Sequence, residues 1–136
     1  MGRRSYDMGN PDLYADNYEF QVPIFVLTRN IPLKKPRQTE KLAFTFITDG
    51  IESAILQAKA VAQDKDVTII GGASIAQQCL KADLLDEIHI DIMPVLLCSG
   101  LRFFDNLGDQ PIQLEKITIL ETPVRTQLRF RVLKKA

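Results

Sequence analysis

The sequence predicts an α/β domain in three layers, with a mixed, mostly parallel sheet that ends in an antiparallel hairpin. Three observations predict it. Short apolar runs at 23–28, 42–48 and 67–70 alternate with helical patterns through the middle of the chain, as parallel crossovers require. The last third alternates with period two on both sides of Thr122-Pro123, as a hairpin does. The chain has 136 residues, 46% hydrophobic and 25% charged, so residues 1–136 suffice for one domain with its own core.

The elements follow in order α, β, β, α, β, α, β, β, β. Residues 1–9 predict a short helix opening just after Gly2, and Asn10-Pro11 breaks it. Residues 11–21 carry Tyr14, Tyr18 and Phe20 without clean periodicity and predict a loop or a single turn. Pro23–Thr28 is a continuous apolar run, the pattern of a buried parallel strand. Residues 31–41, with two prolines and four Lys/Arg, predict a solvated connection to a strand over Leu42–Thr48. Asp49 with Glu52 predicts a capped start for a helix over Ile51–Asp64, whose apolar stripe is Ile51, Ala54, Ile55, Ala58, Val61 and Ala62. Val67-Thr-Ile-Ile70 predicts a third strand. Gly71-Gly72 turns it into a helix with Ile75, Cys79 and Ala82 on one face. Asp86–Met93 alternates, with Ile88, Ile90 and Ile92 on one side and Glu87, His89 and Asp91 on the other. Pro94–Phe104 is an apolar loop, which predicts a dimer interface or a pocket wall. Ile112–Leu120 and Val124–Leu133 complete the hairpin, with a bulge near Glu115-Lys116 where the phase slips.

Composition excludes several functions. Lys+Arg and Asp+Glu are both 17, which argues against a broad nucleic-acid-binding surface. No run approaches a membrane span, and Met1-Gly2-Arg-Arg-Ser5 leads into no apolar signal segment. Cys79 and Cys98 are too far apart in sequence to pair as metal ligands, so no metal site is expected, and they read as reduced thiols of a cytoplasmic protein. The single histidine, His89, sits between two acids on a strand. That spacing fits a polar strand face as well as acid–base chemistry, and no catalytic residue can be named.

Three short segments suit anions. At Gly71-Gly72 the strand-to-helix turn leaves the first helical amides of Ala73, Ser74 and Ile75 pointing outward, which fits a phosphate or simply a tight turn. Gly2-Arg3-Arg4-Ser5 puts guanidinium groups and a hydroxyl at a helix start; a frayed basic terminus has the same composition. Thr28-Arg29 lies at the carboxyl end of a predicted parallel strand, where open α/β sheets bind ligands, although a surface arginine would look the same.

Set in chain order, Gly2-Arg3-Arg4-Ser5-Tyr6, Leu27-Thr28-Arg29 and Ile69-Ile70-Gly71-Gly72 resemble the dihydrofolate reductase-like fold. The stretch Met93-Pro94-Val-Leu-Leu-Cys98-Ser-Gly100-Leu-Arg102-Phe-Phe104 resembles more specifically the C-terminal reductase domain of the bifunctional riboflavin-biosynthesis deaminase/reductase and its stand-alone bacterial relatives. The resemblance spans roughly residues 1–133. It implies an NADPH-dependent reductase acting on a small molecule, a pyrimidine- or pterin-like heterocycle. Gly2, Arg3, Arg4 and Ser5 would then hold phosphates of NADPH, Thr28 and Arg29 the adenosine 2′-phosphate, and Gly71, Gly72, Ala73, Ser74 and Ile75 the pyrophosphate, with Ile70 near the nicotinamide. The paired arginines suit a cofactor with an extra phosphate better than a flavin. Two departures stand out. Cys98 replaces a usual glycine, and the strand, covering loop and helix that usually precede Gly-Arg-Arg-Ser are missing. Losing that central strand would expose two strand edges and predicts a homodimer or a swapped dimer. The same departure keeps open a non-catalytic, nucleotide-binding paralogue.

Overall fold

The structure is a computed structural model and describes residues 1–134. Helix α1 (Arg3–Met8) is followed by a 3-10 turn (Pro11–Leu13) and the short helix α2 (Tyr14–Asn17). Strands β1 (Ile24–Leu27) and β2 (Phe44–Ile47) pair in parallel, with Ile24 opposite Phe44. Helix α3 (Ile51–Ala62) covers this pair, and helix α4 (Ala73–Lys81) comes next. Strands β3 (Glu87–Ile92), β4 (Leu114–Thr122) and β5 (Arg125–Val132) make an antiparallel sheet with β5 in the centre.

The α/β class and its parallel and antiparallel parts are therefore as the sequence predicts. The correction concerns the join. Val67–Ile70, expected as a strand, belongs to no sheet, and the five strands form two separate sheets, β1-β2 and β3-β5-β4. None of these four residues has a backbone hydrogen-bond partner among the described residues. β propensity alone therefore leaves the segment without a ladder.

The core lies in three clusters. Tyr6, Tyr14, Ile24, Val26 and Leu42 pack under α1 and α2, with the rings of Tyr6 and Phe46 edge to face at 5.4 Å. Residues 11–21, expected as a loop or a single turn, hold two short helical turns, 11–13 and 14–17. The buried Tyr14 ring anchors them, and its hydroxyl donates to the Tyr6 carbonyl at 3.0 Å. A second cluster joins Ile51 and Ile55 of α3 to Ile75 and Cys79 of α4. The third joins Leu80 to Ile88 and Val132. Cys79 is fully buried, so its expected core role is observed.

Smaller differences are local. α3 begins after Gly50, which makes no side-chain cap, so Asp49 is not the N-cap, and the helix ends at Ala62 rather than Asp64. β4 runs two residues later than predicted at both ends, and β5 is one residue shorter at each end, with the turn at Pro123-Val124. The β4 bulge falls between Lys116 and Thr118, one residue past the expected place. Across β3 and β5 the alternation is as predicted. Ile88 faces Phe130 on one side, and His89 faces Arg129 on the other.

Candidate functional site

The three anion-suited segments converge. Met1 and Gly2 run beside β1. The Met1 ammonium donates to the Phe25 carbonyl at 2.7 Å, the Leu27 amide donates back to Met1 at 3.0 Å, and Gly2 and Leu27 form a parallel bridge. Burial lowers the pKa of that ammonium. This short pairing sets the start of α1 against the carboxyl end of β1. Arg3 then reaches across, donating from Nη1 to the Asn30 carbonyl at 2.6 Å and to Thr28 Oγ1 at 3.4 Å, while its Nε pairs with Asp7 at 2.9 Å.

Thr28 is buried, and its hydroxyl is committed. It donates to the Asn30 carbonyl at 2.8 Å and accepts the Asn30 amide at 3.3 Å. Its single proton holds the 28–30 turn, so Arg29 is the group of the Thr28-Arg29 pair left facing outward. Arg4 and Arg29 are exposed, and neither makes an ion pair or side-chain hydrogen bond among the described residues. Asn30, whose carbonyl gathers Arg3 and Thr28, was not singled out from sequence. A main-chain acceptor leaves no mark on side-chain identity.

The Gly71-Gly72 turn closes on α1 from the other side. Ser5 Oγ accepts the Gly72 amide at 3.2 Å across 67 residues of sequence. Gly71 has φ +111, and a Cβ there would lie 2.3 Å from Ser5 Oγ, so only glycine allows this contact. The close approach expected at Gly71 is thus made by Ser5 of the same chain. Gly72 differs, because a Cβ there would meet nothing within 4 Å. Open space therefore lies over the start of α4, where the amides of Ala73 and Ser74 have no intrahelical acceptor. Ile75 turns inward into the core.

Two clefts meet at Met1 and Ile70. One, of about 450 Å³, lies between β1, α3 and residues 67–70 and has apolar walls. The other, of about 470 Å³, is lined by Ser5, Met8, Tyr14 and Tyr18 among others. Ile70 stands between them, at the end of the amide-bearing turn. The tyrosines were readable as an i, i+4 pair, but in too short a segment to register as a helix face.

A phosphate-bearing dinucleotide fits what is present. The start of α4 offers open space over Gly72 and free first-turn amides, α1 is tied to it by Ser5 and to the 28–30 turn by Arg3, and Arg4 and Arg29 on those two tied elements are exposed and uncommitted. Thiol chemistry does not fit. Burial pushes the Cys79 thiol up to about 11, with the Met1 ammonium opposing. His89 lies on the exposed side of the antiparallel sheet, 3.3 Å from Glu87, and Arg129 clasps the same carboxylate at 2.6 Å. These contacts hold the Glu87 carboxyl below the ordinary glutamate value and form an ion-pair ladder, in a different sheet from the site. Among the described residues, no group of three or more His, Cys, Asp or Glu is placed to hold a metal ion, and no helix is long and apolar enough to cross a membrane.

Comparison with known proteins agrees with this architecture. Over 98% of the chain, the fold matches the crystal structure titled "Putative riboflavin biosynthesis protein" from Shewanella sp. PV-4, with a TM-score of 0.74 and 26% identity, covering 72% of that structure. A pyrimidine reductase-like protein from Corynebacterium diphtheriae matches 83% of the chain and 50% of its own length, with a TM-score of 0.56; at 16% identity it shows the fold alone. Protein YwjB of Bacillus subtilis (strain 168) is 34% identical over 68 residues, and the match spans 37% of that relative's length. The RibD C-terminal domain family matches residues 17–128, a stretch that contains Thr28, Arg29 and Gly71-Gly72 and begins after Gly2–Ser5. On that match and this fold, the chain belongs to the family of RibD C-terminal domains.

Proposed function

We propose that this riboflavin-reductase-like chain is an NADPH-dependent reductase of a pyrimidine- or pterin-like heterocycle, resembling 5-amino-6-(5-phosphoribosylamino)uracil reductase. The observation that carries it is the convergence of α1, the 28–30 turn and the Gly71-Gly72 turn through Arg3–Asn30 and Ser5–Gly72. When bound, NADPH supplies a hydride. The chain's own residues orient and neutralise. Arg29 and Arg4 would meet phosphates, and the α4 amides at Ala73 and Ser74 would meet the pyrophosphate through the open space at Gly72. Arg3 and Ser5 act one step back, holding the two turns in register. Ile70 offers an apolar wall that excludes water from the reacting ring.

Fluorescence titration with NADPH, and NADH as control, tests the reading. One arginine–phosphate contact contributes about 1.5–3 kcal/mol, so NADPH binds roughly 10- to 100-fold more tightly than NADH. Arg29→Ala removes most of that preference. Equal affinity for the two nucleotides, or an unchanged preference in Arg29→Ala, refutes the assignment. A second reading, nucleotide binding without turnover, is favoured by one observation: the cleft beside Ile70 is open along residues 67–70. NADPH binding without substrate-dependent NADPH oxidation would select it.

A further inference from the structure

We propose that Arg102 is a further cofactor-binding residue, which meets the pyrophosphate of the dinucleotide at the start of α4, and that Gln77 is the positioning residue that carries it there. This rests on the NADPH reading of the same site and adds a wall to it on the side away from α1.

Gln77 makes the contact that carries the inference. Its Nε2 donates to two successive main-chain carbonyls of the segment between β3 and β4, that of Arg102 at 3.2 Å and that of Phe103 at 3.0 Å. A carboxamide nitrogen has two protons, so this clasp uses both. It fixes a stretch that lies in no helix or strand, and the rings of Phe103 and Phe104 stiffen that stretch edge to face at 4.9 Å. Helix geometry sets where the clasp falls. Gln77 stands one turn after Ala73 on the same face of α4, about 6 Å along the axis. Side chains of a helix lean towards its N-terminus, so the Gln77 amide covers the first turn, where the Ala73 and Ser74 amides lack acceptors. The flank is set as well. Ile75 packs into the cluster with α3, and a Cβ on Gly2 would lie 3.0 Å from its Cγ1, so α1 starts on the Ile75 side. Gln77, two residues on, is about 160° around the helix from Ile75. Residues 102–103 therefore flank the start of α4 on the side away from α1.

Arg102 is exposed, and its side chain makes no ion pair or hydrogen bond among the described residues. Its sequence neighbours Leu101 and Phe103 are apolar and leave its charge unanswered. The clasp holds its main chain beside two free amides, within reach of a long side chain. A planar guanidinium fork there suits a diphosphate, which presents oxygens to the amides on one side and to the fork on the other. Arg4 and Arg29 belong to the opposite flank, on α1 and the 28–30 turn tied to it. The 101–104 end of the apolar loop thereby becomes a pocket wall.

Titration of NADPH and NADH against the intact chain and its variants tests this. The pyrophosphate is common to both nucleotides. Arg102→Ala, at an exposed position and so harmless to folding, should weaken both by the same factor, roughly 10-fold, and leave their ratio unchanged. Arg29→Ala changes the ratio instead. Gln77→Met keeps the length of the side chain and removes both donors without adding charge. It should weaken both nucleotides about as much as Arg102→Ala does. Adding Arg102→Ala to it should cost nothing further, because the arginine is already released. A Gln77 that only supports the helix would instead leave Arg102→Ala its full effect in that background, and additive losses overturn the positioning role. Unchanged affinities in Arg102→Ala overturn the proposal and leave the cofactor reading standing. A changed NADPH-to-NADH ratio in Arg102→Ala would place the arginine at the 2′-phosphate, which also overturns it. If neither nucleotide binds the unaltered chain, the cofactor reading falls and this assignment falls with it.

Discussion

Adjacent glycines at 71 and 72 should respond to the same substitution in opposite ways. Gly71→Ala puts a Cβ 2.3 Å from Ser5 Oγ and 2.8 Å from Ser5 Cβ, at φ +111. The backbone strain costs about 1–2 kcal/mol. Moving Ser5 away also loses the Gly72 amide bond, about 1 kcal/mol more. The sum, about 3 kcal/mol, lowers the melting temperature by roughly 10 °C for a chain of this size. Gly72→Ala has φ −56 and nothing within 4 Å of the new methyl. It should melt at or slightly above wild type, since alanine removes about 0.4–1 kcal/mol of unfolded-chain freedom. Yet that methyl occupies the space over the α4 amides, so NADPH affinity should fall at least ~10-fold, about 1.4 kcal/mol. Thermal melts by circular dichroism and cofactor titration on both variants separate the two effects. A Gly71→Ala protein that melts like wild type refutes the Ser5–Gly71 contact. Full NADPH affinity in Gly72→Ala refutes pyrophosphate approach at that turn.

Other expectations follow from single contacts. Arg3→Ala removes the bond to the Asn30 carbonyl from a half-exposed site and should cost about 1 kcal/mol, with a larger proportional loss of cofactor affinity as the 28–30 turn loosens; equal melts would show that the turn holds itself. Cys79, fully buried with its thiol raised to about 11, should resist alkylation at pH 8 until the chain is unfolded, whereas the exposed Cys98 should label at once. Glu87 has a lowered pKa in the folded chain, chiefly through its hydrogen bond from Arg129. Its stabilisation is therefore present above the unfolded glutamate pKa and is lost as pH falls through the folded value. Melts of wild type and Glu87→Gln should converge in acid and separate towards neutral pH; a constant gap would place the contribution elsewhere than in the charge.

Much of the fold was legible in the residues. Periodicity placed β1, β2, α3, α4 and the C-terminal strands to within a residue or two at most ends, because apolar spacing is a local property that burial then rewards. The phase slip in β4 was visible for the same reason. Val67–Ile70 was misjudged because a strand needs neighbours, and hydrogen-bond partners are not encoded in the strand's own residues. The helix at Tyr14–Asn17 was left between a loop and a single turn, because four helical residues carry too little periodicity to separate the two.

By itself, the sequence determined the α/β class, most of the buried faces of α3 and α4, the core position of Cys79 and the residue types of three anion-suited segments. Only the tertiary structure decided that these segments meet, that Thr28 spends its proton on Asn30, and that Gly71 serves Ser5 while Gly72 faces open space. The reason is distance along the chain. Helical and strand patterns arise between residues a few positions apart, whereas Ser5 and Gly72 touch across 67, and nothing in either residue names the other.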